Sequence, residues 1–314
     1  MTGVAGSHFP RRGRPAHHGG MTTPAALPAE SPLRAPLHAA SVSLAVHDLE
    51  GIATFYEQLL GLRRQPATLP GRLTLAAGGR PLLHLVHAPG ARPDNGREPG
   101  LFHTAFLVPD RAALAAWLHS AAALGVTLQG ASDHGVSEAI YLSDPEGNGI
   151  EVYADRPRAA WPAAPAGGVA MFTRRLDLRA LMAEAAGPAL PGAATVIGHV
   201  HLRCHDVPAA EAFYATLGMA VMQRMPQAAF LATGGYHHHV AANAWASGDA
   251  SRRPAGLTGL LEMELQTTDQ AVLDRAFAVA RERGMVLAEG HNFVVTEDAA
   301  GIRVKLSRLE NPQG

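Results

Sequence analysis

The chain has 314 residues, 47% of them hydrophobic, enough for two ordinary domains with a sizeable core. Its formal net charge of -1 argues against a nucleic-acid or other polyanionic partner. One cysteine, Cys204, leaves no intrachain disulfide framework and fits a reducing cytoplasm. No apolar run approaches the roughly 20 residues of a membrane helix.

Residues 1–37 are rich in Gly, Pro, Arg and His, without the apolar stretch of a secretory signal, and read as a disordered extension in which Met21 is a second candidate start. A repeat follows. Ser41-Val-Ser-Leu-Ala-Val-His-Asp48 leads to Phe55-Tyr56 and Gly61, and His199-Val-His-Leu-Arg-Cys-His-Asp206 leads to Phe213-Tyr214 and Gly218. Each reads as an alternating strand, an Asp that caps a helix, and a short helix ending near Gly. A related pair begins at His103-Thr-Ala-Phe-Leu-Val-Pro-Asp110 and at Glu262-Met-Glu-Leu-Gln-Thr-Thr-Asp269, with helices ending at Gly125 and Gly284. Three short strands follow each helix. The chain is thus four βαβββ units, at 38–92, 100–157, 196–248 and 256–310. Residues 158–195, rich in Ala, Pro and Gly, read as a linker with one amphipathic piece around Leu176 to Glu184.

One such unit cannot bury its sheet face alone. The expected fold is α+β: the four units pair into two curled sheets, or half-barrels, each with a cavity inside and helices outside.

The densest chemistry lies in His134-Gly-Val-Ser-Glu-Ala-Ile-Tyr141-Leu-Ser-Asp144-Pro-Glu-Gly147-Asn-Gly-Ile-Glu151. Ala139–Leu142 and Ile150–Tyr153 read as strands joined by turn residues, so that His134, Tyr141 and Glu151 can converge. With the four-fold repeat, this stretch resembles the vicinal oxygen chelate superfamily, and within it the extradiol ring-cleavage dioxygenases. The shared pattern is a His, a gap, an apolar residue then Tyr, Asp-Pro, Gly and a final Glu. Tyr153-Ala-Asp-Arg-Pro157 and Gly235-Tyr-His-His-His239 are similar to segments of the bacterial catechol-2,3-dioxygenase branch. Ser132 departs from the pattern, which prefers Gly, Asn, Thr, Ile or Val there.

The resemblance puts metal ligands on the first and last strands of paired units. The corresponding positions are Ser41, His103, Glu151, His199, Glu262 and Arg303. Serine is a weak ligand and a guanidinium stays protonated, so pairing the first unit with the second leaves both cavities incomplete. Pairing the second with the third gathers His103, Glu151 and His199, two imidazoles and one carboxylate, which suits ferrous iron with open positions. The other cavity is then a relic in which Glu262 and Arg303 form a buried ion pair. The same pairing brings the strand Tyr236–His239 to the metal cavity. Alternation separates His237 and His239 from His238 without choosing a face.

The resemblance implies Fe(II), with Mn(II) as the alternative, a small aromatic diol and O2 as reactants, and a cytoplasmic enzyme compatible with a homo-oligomer. It assigns His239 as general base and later acid, His134 as a proton donor, and Tyr141 as the group holding a substrate oxygen. Two other functions are compatible with the family: a glyoxalase-like metal-dependent lyase or isomerase, and a non-catalytic small-molecule-binding protein.

Overall fold

The computed structural model describes residues 30–67, 69–164 and 168–309. The first unit is β1 (His38–Val46), α1 (Leu49–Leu60), β2 (Arg63–Arg64), β3 (Arg72–Ala77) and β4 (Arg80–His87). The second is β5 (Gly100–Leu107), α2 (Arg111–Ala123), β6 (Gly130–Asp133), β7 (Ser137–Ser143) and β8 (Gly149–Asp155). Between the second and third units lie β9 (Arg174–Arg175) and α3 (Leu178–Met182). The third unit is β10 (Val196–Arg203), α4 (Val207–Thr216), β11 (Ala220–Met225), β12 (Ala228–Ala232) and β13 (Val240–Asn243). The fourth is β14 (Gly259–Thr267), α5 (Gln270–Glu282), β15 (Ala288–Gly290), β16 (Phe293–Glu297) and β17 (Arg303–Arg308).

Each unit helix opens on an aspartate whose carboxylate accepts from a backbone N–H of the first turn: Asp48 from Gly51, Asp110 from Ala113, Asp206 from Ala209 and Asp269 from Ala271. Gly61, capping α1, takes φ 72°, a left-handed conformation open to glycine at little cost.

Two sheets result. One runs β15-β16-β17-β14-β1-β4-β3-β2, joining the first and fourth units; the other runs β11-β12-β13-β10-β5-β8-β7-β6-β9, joining the second and third. The seam of each is an antiparallel pair of first strands, β1 with β14 and β5 with β10. Alternation splits every strand in two. On β8, Ile150, Val152 and Ala154 join the hydrophobic core beneath the helices, while Glu151, Tyr153 and Asp155 face the concave side. The core is continuous through both sheets and all four unit helices, with the Trp117 indole N–H of α2 donating to the Leu59 carbonyl of α1 at 2.9 Å.

Two matched clasps stitch the sheets together. Tyr56 of α1 donates to Asp144 in the turn after β7 at 3.3 Å, and Tyr214 of α4 meets Asp298 in the turn after β16 at 3.5 Å. The Phe-Tyr repeat thus has a cross-sheet partner in each half. The Asp144 turn does a second job: the Glu146 carboxylate accepts from the backbone N–H of His47 and Asp48 at the start of α1.

Three expectations change. Residues 30–37 belong to the folded body: Ser31 caps a short turn at Pro32–Arg34, and Leu37 is fully buried, since its apolar side chain finds the core just before β1. Residues 1–29, also expected to be disordered, lie outside the described residues. The stretch expected as a linker is part of the sheet and core, because β9 pairs with β6 and Leu181 of α3 is buried. In the first sheet the buried acid is Glu264, not Glu262. It accepts from Ser41 at 2.8 Å and Ser307 at 2.7 Å and pairs with Lys305 at 3.0 Å, whereas Arg303 is exposed. Irregularities in the β1–β14 register after Ala39 and Ser43 shift which side chains meet. Among the described residues no helix is long and apolar enough to cross a membrane.

Burial pushes the Asp298 carboxyl up to about 6, against backbone N–H donors from Ile302 and Ala300 that pull it down. A raised carboxyl pKa favours the protonated folded state, so this group's contribution is fully present below the ordinary aspartate range and is lost as pH rises through about 6. Asp298→Asn, which keeps an oxygen for the backbone donors, is expected to be more stable than the native chain by about 2–3 kcal/mol at pH 7 and equal to it at pH 4. Denaturant unfolding at the two pH values checks this; an equal difference at both contradicts it.

Candidate metal centre

The register of the second sheet decides which side chains meet. β10 pairs with β5 so that His199 lies opposite Ala105 and His201 opposite His103. β8 lies on the other side of β5 with Glu151 beside Ala105, and β7 places Tyr141 directly opposite Glu151. Small Ala105 is therefore flanked by His199 and Glu151, and His103 projects two residues away on the same face. The ring and carboxylate atoms close over the alanine. His103 Nε2 lies 2.9 Å from Glu151 Oε2, His199 Nε2 lies 3.2 Å from the same oxygen, and the two imidazole nitrogens are 3.4 Å apart. All three residues are buried.

Donors ~2.1 Å from one divalent ion lie ~3.0 Å apart at right angles and ~3.4 Å apart at the tetrahedral angle. The observed separations span that interval. Among the described residues this is the single group of His, Cys, Asp or Glu donors close enough to share an ion. Burial holds His199 down at about 4, so its nitrogen keeps a lone pair at neutral pH. Burial would raise Glu151, but the neighbouring imidazoles outweigh it and the carboxyl is held well below its ordinary range. A carboxylate beside imidazole lone pairs fits a divalent cation.

The set opens into a cavity of about 270 Å³. Its walls include Phe102, Val136, Met171, Met225, Phe230 and Trp245, and among the described residues lining it none is Lys or Arg. Met171 and Thr173 come from the segment expected to be a linker.

Tyr141 and His134 form a pair on one wall, with the phenol oxygen 2.7 Å from His134 Nε2. The other ring nitrogen, Nδ1, lies 2.9 Å from the Phe172 carbonyl, which can only accept. Neutral His134 therefore carries its proton on Nδ1, and Tyr141 donates to Nε2. Burial, reinforced by the Glu151 carboxylate, lifts the Tyr141 hydroxyl well above its usual range, so it stays protonated.

The three consecutive histidines are not a strand but an irregular stretch before β13. His238 lines the cavity, its ring 4.0 Å from that of His199 centre to centre. His239, expected to be the acid–base group, points away. Its nitrogens lie near the Thr233 N–H and the Pro32 carbonyl, both at 3.4 Å. His237 is fully buried behind the site. His201 is a cavity residue that the motif reading passed over. It shares the inner face with His199 two positions earlier, and Asn243 donates to its Nε2 at 2.9 Å. The His-x-His spacing on one strand was the available signal.

The shape of this centre can be set beside known proteins. A catechol-2,3-dioxygenase of Bacillus subtilis (strain 168) is 36% identical over 272 residues, covering 84% of this chain and 95% of that protein. The profile of the Glyoxalase/Bleomycin resistance protein/Dioxygenase superfamily matches residues 37–152. The chain belongs to this superfamily. Solved structures of the superfamily's fold agree: a Bacillus subtilis protein aligns with TM-score 0.60 at 14% identity, over 88% of this chain and 86% of that one. Glyoxalase I of Zea mays aligns with TM-score 0.52 at 14% identity, over 87% and 92%. His103, Glu151 and His199 form a buried group that could hold a metal ion.

Replacing any one of His103, Glu151 or His199 by alanine is expected to weaken divalent-metal binding at least 100-fold while the fold persists, since each removes one of three candidate donors. Anaerobic metal titration with circular dichroism checks this; one tightly held equivalent in all three variants contradicts it.

Proposed function

We propose that this protein is an extradiol dioxygenase, opening the ring of a catechol with O2 at a mononuclear Fe(II) site. The carrying observation is the buried set of two imidazoles and one carboxylate at the base of an apolar cavity with proton-handling groups on its walls. The name of the Bacillus subtilis relative supports it. In the overall reaction both oxygen atoms enter the product and the C–C bond beside the diol breaks, so no external reductant is needed. When bound, Fe(II) supplies Lewis acidity toward the diol and the electrons that activate O2.

The chain's own groups divide the remaining work. Tyr141, donating to His134, keeps oxygen lone pairs free to accept from a substrate hydroxyl. His134 in its neutral form accepts rather than donates at Nε2, so it receives a proton through Tyr141 before it can return one. His238 takes the place first assigned to His239: it is a cavity-facing imidazole positioned to remove a diol proton and hand it back to the product. Phe102, Met171, Met225 and Phe230 hold the ring and keep water from the reacting face.

The cavity also describes the substrate. A sealed apolar cavity of ~150 Å³ takes benzene, and about 270 Å³ leaves room for a substituent beside the ring. With apolar walls and no cationic lining residue among those described, that substituent is uncharged and apolar.

Iron-loaded protein is expected to consume one O2 per catechol. Expected kcat/KM for 4-methylcatechol is about 100-fold above that for 3,4-dihydroxybenzoate, whose carboxylate finds no partner. His238→Ala is expected to lose 100- to 1000-fold in kcat. Oxygen-electrode assays check both; metal-dependent turnover that needs no O2 moves the protein to the lyase or isomerase class.

A further inference from the structure

A buried polar chain stands behind the candidate metal centre, and its hydrogen bonds converge on one carboxylate. Asp155 ends β8, on the same face as Glu151 and Tyr153. Its Oδ1 lies 2.9 Å from His237 Nε2, and its Oδ2 accepts from the Tyr236 hydroxyl at 2.7 Å. His237 Nδ1 lies 2.7 Å from His238 Nδ1, and the Tyr153 and Tyr236 hydroxyls are 2.8 Å apart. Tyr153, Tyr236 and His237 are fully buried and Asp155 is one-fifth exposed.

A carboxylate only accepts, so His237 must carry its proton on Nε2. With His237 neutral, its Nδ1 offers a lone pair, and His238 donates to it from its own Nδ1. His238 is left with its lone pair on Nε2, the nitrogen remote from this chain. The Tyr236 proton is spent on Asp155, so Tyr153 donates to Tyr236. Every bond in the array points toward one anion.

The surroundings are built to keep this array in place. Gly198 has no Cβ where one would overlap the Tyr153 hydroxyl. Trp161 covers the network from the solvent side, its ring 5.3 Å from His237 and 5.8 Å from Tyr236, and the Arg158 guanidinium lies over both the Trp161 and Tyr236 rings.

We infer that Asp155, acting through His237, is the positioning residue that fixes His238 in its Nδ1–H tautomer, so that an Nε2 lone pair rather than an N–H faces the reacting diol. The inference rests on the extradiol reading for the use to which Nε2 is put, but not for the tautomer itself. The arrangement follows the logic by which a buried carboxylate orients a catalytic imidazole two atoms away, with one further imidazole interposed.

Two measurements test it. In zinc-loaded, diamagnetic protein labelled with ¹⁵N-histidine, the His238 ring is expected to show a protonated Nδ1 and an unprotonated Nε2. A protonated Nε2 with bare Nδ1 overturns the inference. In the iron-loaded enzyme, Asp155→Ala is expected to lower kcat for catechol about 100-fold, with KM changed less than threefold and metal content unchanged. Equal losses in kcat and metal content indicate a merely structural Asp155 and overturn it. If Asp155→Ala does not fold, the native protein's spectrum alone decides. Absence of O2 uptake by the native enzyme overturns the extradiol reading, while the tautomer still stands or falls on the spectrum.

Discussion

The antiparallel seam between β5 and β10 is the constraint on which the site depends. It brings the first strands of the second and third units together, so that His103 and His199 reach one carboxylate on β8 across the small side chain of Ala105. Because side chains alternate with period two, a slip of one residue along this seam would turn His199 into the core and an apolar neighbour into the cavity. The hydrophobic residues on the outer face, Val200, Leu202, Phe106 and Val152 among them, oppose such a slip. The same burial that holds the fold together therefore holds His103, Glu151 and His199 in register.

The two halves of the molecule show what one scaffold does with and without that ligand set. In the second sheet, the inward-facing His, Glu and Tyr groups project into an open cavity whose walls are otherwise largely apolar. In the first, Ser41, Glu264, Lys305 and Ser307 satisfy one another at the corresponding place, so that the buried carboxylate has hydrogen-bond donors and a cation. Those contacts hold Glu264 below its ordinary range despite burial. The Tyr56–Asp144 and Tyr214–Asp298 clasps repeat between the halves because they fasten sheet to sheet, a task common to both.

Much of this was legible from the residues. The repeated Asp before each helix and Gly after it encode local backbone chemistry, and these elements formed where that chemistry predicts. Counting ligands among His103, Glu151 and His199 required the second and third units to share a sheet, as they do. What stayed illegible depends on shifts of one or two residues. Alternation does not apply to the three histidines, because Tyr236–His239 is irregular and β13 begins only at Val240, so the period-two pattern could not pick out His238 as the cavity-facing ring. Register irregularities in the β1–β14 pair put Glu264 rather than Glu262 at the centre of the first sheet. The segment around Met171 and Phe172 has no periodicity to announce it, yet the Phe172 carbonyl sets the tautomer of His134.

The central claim is that one ion is held jointly by strands from two units. An anomalous difference map at the iron edge, from crystals of anaerobically loaded protein, tests it most directly. One peak within bonding distance of His103 Nε2, Glu151 Oε2 and His199 Nε2 is the predicted result. A peak among His237, His239 and Asp155, with none at the triad, would contradict it.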